Sequence, residues 1–332
     1  MTTILGIEST AHTFGVGIVR NKKIIANKRK MYSTESGGII PTESAKHHFN
    51  CKHEIYFEAL DEAKIKEEEI DAIAFSQGPG LAPCLIEGMK FAKEISGKLK
   101  KPVVGVNHCV AHLEVGETTG AKDPVMLYVS GANTQVIAYE SGKYRIFGET
   151  LDLGVGNFID TIARFLGEGF PGGPKIQELA KSGKNYIELP YKVKGMDIAL
   201  AGIQTKIKQL IDDKKFSKED LSYSLQETVF AMLVEIAERA LAHTGKKELL
   251  LGGGVACNSQ LQEMCKIMCD ERIEKTKLFI PEKSLLVDNA SMIAYLGEKM
   301  FEKKANVFSC DELEKIDIHP RERTDDIDVK WK

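Results

Sequence analysis

Two histidines stand four residues apart in the segment His108-Cys-Val-Ala-His112. On a helix, positions i and i+4 share a face, so both imidazoles can reach one ion. Neutral imidazole suits zinc or iron. Such a site needs a third ligand from elsewhere in the chain, normally a carboxylate or a phenolate. The candidate is Asp288, in Leu-Leu-Val-Asp-Asn-Ala ahead of an apolar helix. An aspartate in that place can equally cap the helix, and a histidine pair by itself is more often structural than ligating.

Other segments suit a nucleotide. Gly252-Gly-Gly-Val-Ala-Cys-Asn258 leaves a strand and enters a helix, which lets backbone approach a ligand closely. Without a full dinucleotide fingerprint, it also reads as a plain tight turn. Asp160, in Gly154-Val-Gly-Asn-Phe-Ile-Asp160, can accept hydrogen bonds from a ribose-like pair of hydroxyls. Gly172 and Gly173, in Phe170-Pro-Gly-Gly-Pro174, would let a flat base or sugar lie against the main chain. Ser130-Gly-Ala-Asn-Thr134 is a turn of small and hydroxyl residues that can cradle phosphate through its N–H groups, and Ser9-Thr10 is its counterpart nearer the start.

The elements that must position these groups follow from apolar patterning. Strands are expected at 4–7, 14–19 and 22–30, then a helix over 41–64 with Pro41 at its start. A strand at 70–75, a helix at 81–99, a strand at 102–106 and a helix at 108–115 complete the first half. The order begins again near residue 123, with strands at 125–129, 134–139 and 144–147. Helices follow at 157–166, 174–181, 204–211 and 218–243, then a strand at 249–251 and helices from Asn258 and at 291–296. The runs ILGIESTAHTFGVGIV and MLYVSGANTQVIAY share one pattern of strand, small polar turn and strand. An α/β fold with duplicated mixed-sheet domains is therefore expected: a first lobe over 1–121, a second over 122–298, and a charged segment over 299–332 packing back on the first. The cleft between two such lobes is the expected ligand site.

The totals agree with two globular domains: 332 residues, 43% hydrophobic and 28% charged. A net charge of −3 gives no global basic signature, so RNA binding would need local patches or a partner. Lys192, Lys194, Lys206, Lys208, Lys214 and Lys215 are the candidate contacts, although such lysines are usually solvated faces. The seven cysteines show no zinc-ribbon or disulfide spacing and fit a reducing compartment. No leader or membrane span is expected, and the reading is cytoplasmic.

Gly-Ile-Glu-Ser-Thr-Ala at 6–11, Ser-Gln-Gly-Pro-Gly at 76–80 and Gly-Val-Asn-His-Cys-Val-Ala-His at 105–112 resemble the Kae/TsaD/Qri family. Tyr-Val-Ser-Gly at 128–131, Phe-Pro-Gly-Gly-Pro at 170–174, Gly-Gly-Val-Ala at 253–256 and Asp288-Asn289 extend the match over nearly the whole chain. The histidine segment is similar to the archaeal and eukaryotic branch, whose members are the catalytic subunits of the KEOPS complex. The resemblance implies an actin/sugar-kinase-like two-lobed fold. It also implies transfer of the L-threonylcarbamoyl group from L-threonylcarbamoyladenylate to N6 of the adenosine 3′ of the anticodon, in tRNAs reading ANN codons. It implies one transition-metal ion, iron first and zinc second, on His108, His112, Asp288 and Tyr128. It implies ATP, AMP or the adenylate on Tyr128, Val129, Ser130, Gly131, Ala132, Asp160, Gly173, Gln177 and Asn258. The implied partners are tRNA, a small atypical protein kinase, small accessory KEOPS subunits and a separate synthase of the adenylate, with no membrane.

Some positions depart from the family pattern. Ala132 stands for glycine, Gln177 for glutamate, Ala201-Gly202 for Ser-Gly, Ser291 for an alanine and Cys257 for an alanine; none is a metal ligand. Three rival readings differ in class. A zinc peptidase needs glutamate after the first histidine, where Cys109 stands. A kinase or ATPase of the same fold needs a catalytic aspartate with Mg²⁺ at the γ-phosphate. A non-catalytic nucleotide-binding scaffold would transfer nothing, with or without partners.

Overall fold

The computed structural model describes residues 1–34 and 38–332, and these divide into two units. The first unit is Met1–Ser33, Ile39–Val115 and Asp288–Lys332. Its chain runs through β1 (Thr3–Glu8), β2 (Thr13–Arg20), β3 (Lys23–Met31), α1 (Pro41–Ala63), β4 (Ala72–Gly78), α2 (Ala82–Leu99), β5 (Val103–Asn107) and α3 (His108–Glu114). The second unit, Thr34–Gly38 and Gly116–Val287, carries β6 (Val125–Val129), β7 (Thr134–Glu140), β8 (Lys143–Glu149), α4 (Val155–Phe165) and α5 (Gly172–Ala180). It continues with β9 (Val193–Lys194), β10 (Asp197–Ile198), α6 (Ala201–Asp212), α7 (Lys218–Thr244), β11 (Glu248–Gly252), α8 (Ser259–Glu271), β12 (Lys277–Phe279) and α9 (Lys283–Leu286). The elements α10 (Ala290–Glu302) and β13 (Val307–Phe308) belong to the first unit.

The two main sheets repeat one topology. Strand order is β13-β5-β4-β1-β2-β3 in the first unit and β12-β11-β6-β7-β8 in the second. In each, the central strand (β1 or β6) has two parallel strands on one side and an antiparallel hairpin on the other, and the first sheet adds β13 at its edge, antiparallel to β5. The second hairpin of each unit turns on two residues of positive φ: Asn21 and Lys22 in one, Ser141 and Gly142 in the other. Two consecutive left-handed residues match the twist of paired strands. The duplicated mixed-sheet architecture expected from the sequence is therefore present. The short strands β9, β10, β12 and β13 and the one-turn α9 carry too few residues for a periodic signal. They were not anticipated.

The first sheet is buried on both faces, which is why β1 and β2 read as continuous apolar runs. Leu5, Ile7, Phe14, Val16 and Ile18 pack with Ile55 and Ala59 of α1 and with Phe91 and Ile95 of α2. On the opposite face lies α10. A Cβ on Gly6 would overlap the carbonyl of Ala290, and one on Gly17 would overlap the amide of Ser291. Gly6 and Gly17 are register partners in the β1–β2 ladder. Together they open a shallow slot in which the backbone at the start of α10 sits directly on the sheet. On α10 itself, Gly297 approaches Ala74 of β4 in the same way. This close approach fixes where residue 288, just ahead of α10, meets the end of the sheet.

In the second unit, Val125, Leu127 and Val129 of β6 and Leu249 and Leu251 of β11 share a core with α4, α6, α7 and α8. The helix α7 begins at Ser217, whose side chain accepts the Asp220 amide, and ends at left-handed Gly245.

Candidate metal centre and nucleotide site

The candidate metal centre is built at the junction of β5 and α3. Asn107, the last residue of β5, caps α3: its Oδ1 accepts the Val110 amide at 3.1 Å. That cap makes His108 the first helical residue and places His112 one turn later on the same face. Their ring centroids are 4.8 Å apart. Both histidines are buried.

Asp288 reaches them from the start of α10. The cap of that helix is Asn289, whose Oδ1 accepts from the Met292 amide at 3.0 Å and from the Ser291 hydroxyl at 2.6 Å. Capping is therefore the work of Asn289, and the Asp288 carboxylate turns to the imidazoles. Its Oδ1 lies 3.4 Å from Nε2 of His108 and 3.4 Å from Nε2 of His112. One ligand atom from each of the three residues lies within 4.8 Å of the others. Donors bonded at about 2.1 Å to one ion are roughly 3.0–3.4 Å apart in octahedral or tetrahedral geometry. Two imidazoles and one carboxylate at this spacing fit a divalent transition metal and leave coordination positions for other oxygens.

Behind His108 stands Glu8, at the end of β1 and fully buried. Its Oε2 lies 2.9 Å from Nδ1 of His108. Its Oε1 accepts from the Thr10 amide at 2.7 Å and the Thr10 hydroxyl at 2.5 Å. A carboxylate on Nδ1 orients the ring and directs Nε2 forward as the ligand atom. Burial opposes charge on His108, but Glu8 and Asp288 outweigh it and hold its pKa well above the ordinary histidine value. Burial dominates at His112 and, despite the nearby Asp288, lowers its pKa. Burial also opposes charge on Asp288, yet His108 and His112 hold its carboxyl well below the usual range.

The nucleotide candidates lie in the second unit, apart from the Ser9-Thr10 turn of the first, whose amides donate to Ser76 Oγ and Glu8 Oε1. Tyr128 is fully buried near the end of β6, across from Gln135 and Gly252, and Val129 follows it opposite Thr134. In the turn after β6, the Ser130 amide and hydroxyl donate to the Asn133 carbonyl at 2.8 and 3.0 Å. Gly131 and Ala132 are exposed at its tip. The first amides of α4 are already used: Val155 donates to Thr134 Oγ1, Gly156 to the Ser130 carbonyl and Asn157 to the Gly131 carbonyl. Any phosphate at this turn must therefore be met by the turn itself.

Asp160, on α4, accepts the Gly172 amide at 2.7 Å and so caps α5. Beside it, a Cβ on Gly173 would meet nothing within 4 Å, so that stretch of main chain is open. Gln177 of α5 donates to Ser259 Oγ at 3.0 Å. Asn258 caps α8 through the Gln260 amide at 2.9 Å and donates to buried Gln226 at 2.6 Å. Gly253, at φ 87°, crosses so close to Val129 and Ser130 that a Cβ there would overlap their backbone. Inside one unit, hydrogen bonds thus link the turn after β6 to α4, α4 to α5 and α5 to α8.

A family model described as tRNA N6-adenosine threonylcarbamoyltransferase matches residues 22–295. A protein of that name from Thermococcus sibiricus is 52% identical over 328 residues, which is 98% of this chain and 99% of the relative. The chain belongs to the tRNA N6-adenosine threonylcarbamoyltransferase family. Another relative, from Methanosarcina mazei, is named a probable bifunctional tRNA threonylcarbamoyladenosine biosynthesis protein; it is 50% identical over 99% of this chain, which covers 60% of its length. Among solved structures, HypF from T. kodakarensis superposes with a TM-score of 0.63 at 15% identity, over 91% of this chain and 48% of HypF. That likeness concerns fold alone and agrees with the expected actin/sugar-kinase-like architecture.

Glu8 and Asn289 stand in the sequence only as members of motifs, with no role of their own, and Gln226 and Ser259 stand in none. Glu8 had a signal: an acid closing the apolar run Ile4-Leu-Gly-Ile7 is a carboxylate headed for the interior. Gln226 and Ser259 had none.

Proposed function

We propose that this chain transfers the L-threonylcarbamoyl group from L-threonylcarbamoyladenylate to N6 of the adenosine 3′ of the anticodon in tRNAs reading ANN codons. The observation that carries this reading is the match at 52% identity to a transferase of that name along essentially the full length of both proteins.

In the reaction, the adenosine N6 attacks the carbamoyl carbon of the donor, the carbon–oxygen bond to phosphate breaks, AMP leaves and N6 loses one proton. AMP is a good leaving group, whereas an aromatic exocyclic amine is a poor nucleophile, so positioning and charge neutralisation carry the rate. His108, His112 and Asp288 would hold a transition-metal ion, iron or zinc, with Tyr128 as a further ligand. Such an ion supplies Lewis acidity and neutralises negative charge on bound oxygens. Glu8 would keep His108 in the ligating orientation. The turn Tyr128, Val129, Ser130, Gly131 and Ala132 would face the phosphate, and Asp160 with Gly173 and Gln177 would face the adenosine. Asn258 would shape that site through its hydrogen bonds to Gln226 and Gln260. At Gln177 an amide offers ribose a hydrogen bond without charge. No side chain stands out as a general base, so the N6 proton would pass to water or to the departing phosphate.

The substrate implies a cytoplasmic setting and a separate enzyme that makes the adenylate. Among the described residues, no helix is long and apolar enough to cross a membrane. The mild net negative charge favours partners that bring basic surface to the tRNA, and KEOPS subunits including a small protein kinase fit that need. The test is transfer from L-threonylcarbamoyladenylate to tRNA by this subunit, alone and with those partners. Formation of N6-threonylcarbamoyladenosine is expected, and no product in either condition would contradict the assignment.

A further inference from the structure

Helix α3 carries both histidines, and one later stretch of chain holds both of its ends. At the start of α3, Asn107 uses its Oδ1 as the cap and donates its Nδ2 to Glu322 Oε2 at 2.9 Å. At the far end stands Glu114, fully buried. A carboxylate in the interior is costly unless it is paired. Glu114 accepts the indole N–H of Trp331 at 3.2 Å, lies 3.5 Å from Lys332 Nζ and forms an ion pair with Lys299 of α10. The Glu114–Lys299 pair ties the end of α3 to the helix whose start presents Asp288.

The stretch between these two grips has anchors of its own. Gln77 of β4 donates Nε2 to the Asp317 carbonyl at 2.8 Å and accepts the His319 amide at 2.8 Å. Gly80 donates its amide to the Pro320 carbonyl at 3.2 Å, and Gly78 is so close to His319 that a Cβ would overlap its carbonyl. Thr324 is buried, and Trp331 is only 6% exposed despite the charged sequence around it. A mobile polar segment would not bury its one tryptophan on a carboxylate of the metal-bearing helix.

We propose that residues 317–332 act as a strap that locks α3 against α10, with Glu322 and Trp331 as positioning residues for the His108, His112 and Asp288 set. The effect on the metal rests on the metal assignment made above; the hold on α3 does not. An imidazole pair on a two-turn helix has few hydrogen bonds of its own, so fraying at either end would spread the ligand atoms. The strap removes that freedom at both ends.

The test uses the full chain with Glu322→Ala, Trp331→Phe and Glu322→Gln. The phenylalanine keeps a ring but loses the N–H donor, and the glutamine keeps an acceptor for Asn107. Two quantities are read: amide hydrogen exchange of peptides over α1, α2 and α3, and the dissociation constant and absorption spectrum of bound Co²⁺. Glu322→Ala and Trp331→Phe should each speed exchange in α3 by about tenfold while α1 and α2 keep their rates. The same two variants should weaken Co²⁺ binding by about tenfold and shift its spectrum, with Glu322→Gln close to the parent. Unchanged α3 exchange, or an equal acceleration of all three helices, would overturn the strap. Altered α3 exchange in a protein whose parent binds no Co²⁺ would uphold the strap's hold on α3 and overturn the metal assignment.

Discussion

Oε2 of Glu8 lies 2.9 Å from Nδ1 of His108, and both side chains are buried. A carboxylate in that place fixes the ring and makes Nε2 the outward atom, which is where Asp288 waits at 3.4 Å. Replacing Glu8 by glutamine keeps the size but removes the charge that favours the ligating orientation. Metal affinity of Glu8→Gln, measured by chelator competition, is expected to fall by about tenfold with the fold intact. Equal affinity would show that Glu8 serves packing alone.

Gly17 is expected to be intolerant for a reason that concerns the site. A methyl group there overlaps the backbone of Ser291, so α10 must move or the strand must bend. Overpacking of this kind costs about 1–3 kcal/mol. Gly17→Ala should lower the denaturation midpoint accordingly and, by displacing Asp288, weaken metal binding as well. Parent stability in the variant would mean that the contact between α10 and the sheet is looser than described.

Asp160 holds the Gly172 amide, and that role can be separated from the nucleotide contact proposed for it. As the acceptor of the Gly172 amide it contributes a helix cap, worth about 1 kcal/mol. As a nucleotide contact its loss should reach further. Asp160→Ala is expected to weaken binding of AMP at least tenfold, read by calorimetry, while Asp160→Asn restores the cap and part of the stability. Unaltered affinity for AMP in the alanine variant would remove Asp160 from the site.

His48, on α1, gives a pH signature unrelated to the metal. Its side chain is fully buried, and neither ring nitrogen has a hydrogen-bond partner among the described residues. Burial pushes its pKa down to about 3, with His47 and His12 adding to the effect. The unfolded chain takes up this proton near pH 6.5 and the folded chain does not. The stability associated with neutral His48 is therefore fully present above pH 6.5. It is lost as pH falls towards 3, at up to about 1.4 kcal/mol per pH unit. His48→Leu should flatten the stability profile in that window by about one proton, as read from denaturant unfolding at successive pH values. An identical slope in the two proteins would refute it.

Much of this arrangement was legible in the sequence. Buried strands announce themselves as apolar runs, so β1, β2, β4, β5 and β6 were readable, and the repeated strand–turn–strand pattern disclosed the duplication. The i,i+4 spacing of His108 and His112 needs only a helix to bring the rings together. The recruitment of Asp288 is different in kind. It depends on Gly6 and Gly17 admitting the backbone of α10 to the sheet, a contact between segments far apart in the chain that no local pattern encodes. Asp288 was also ambiguous, because an aspartate in that place could itself have capped the helix that Asn289 caps. The grip of residues 317–332 on α3 was not legible in detail: packing back on the first lobe was expected of 299–332, but a charged segment without periodicity does not say which residues make the contacts. Only Trp331 hinted at one. Glu8 was visible as an acid at the end of an apolar run, but its partner was not.

Metal content of the purified chain, identified by X-ray absorption and counted per subunit beside Asp288→Ala and His112→Ala, addresses the metal assignment most directly. One transition-metal ion per parent subunit, absent from both variants while their circular dichroism is unchanged, is the expected result, together with loss of threonylcarbamoyl transfer. A parent that carries no ion under conditions where it modifies tRNA, or variants that retain the ion and the activity, would contradict it.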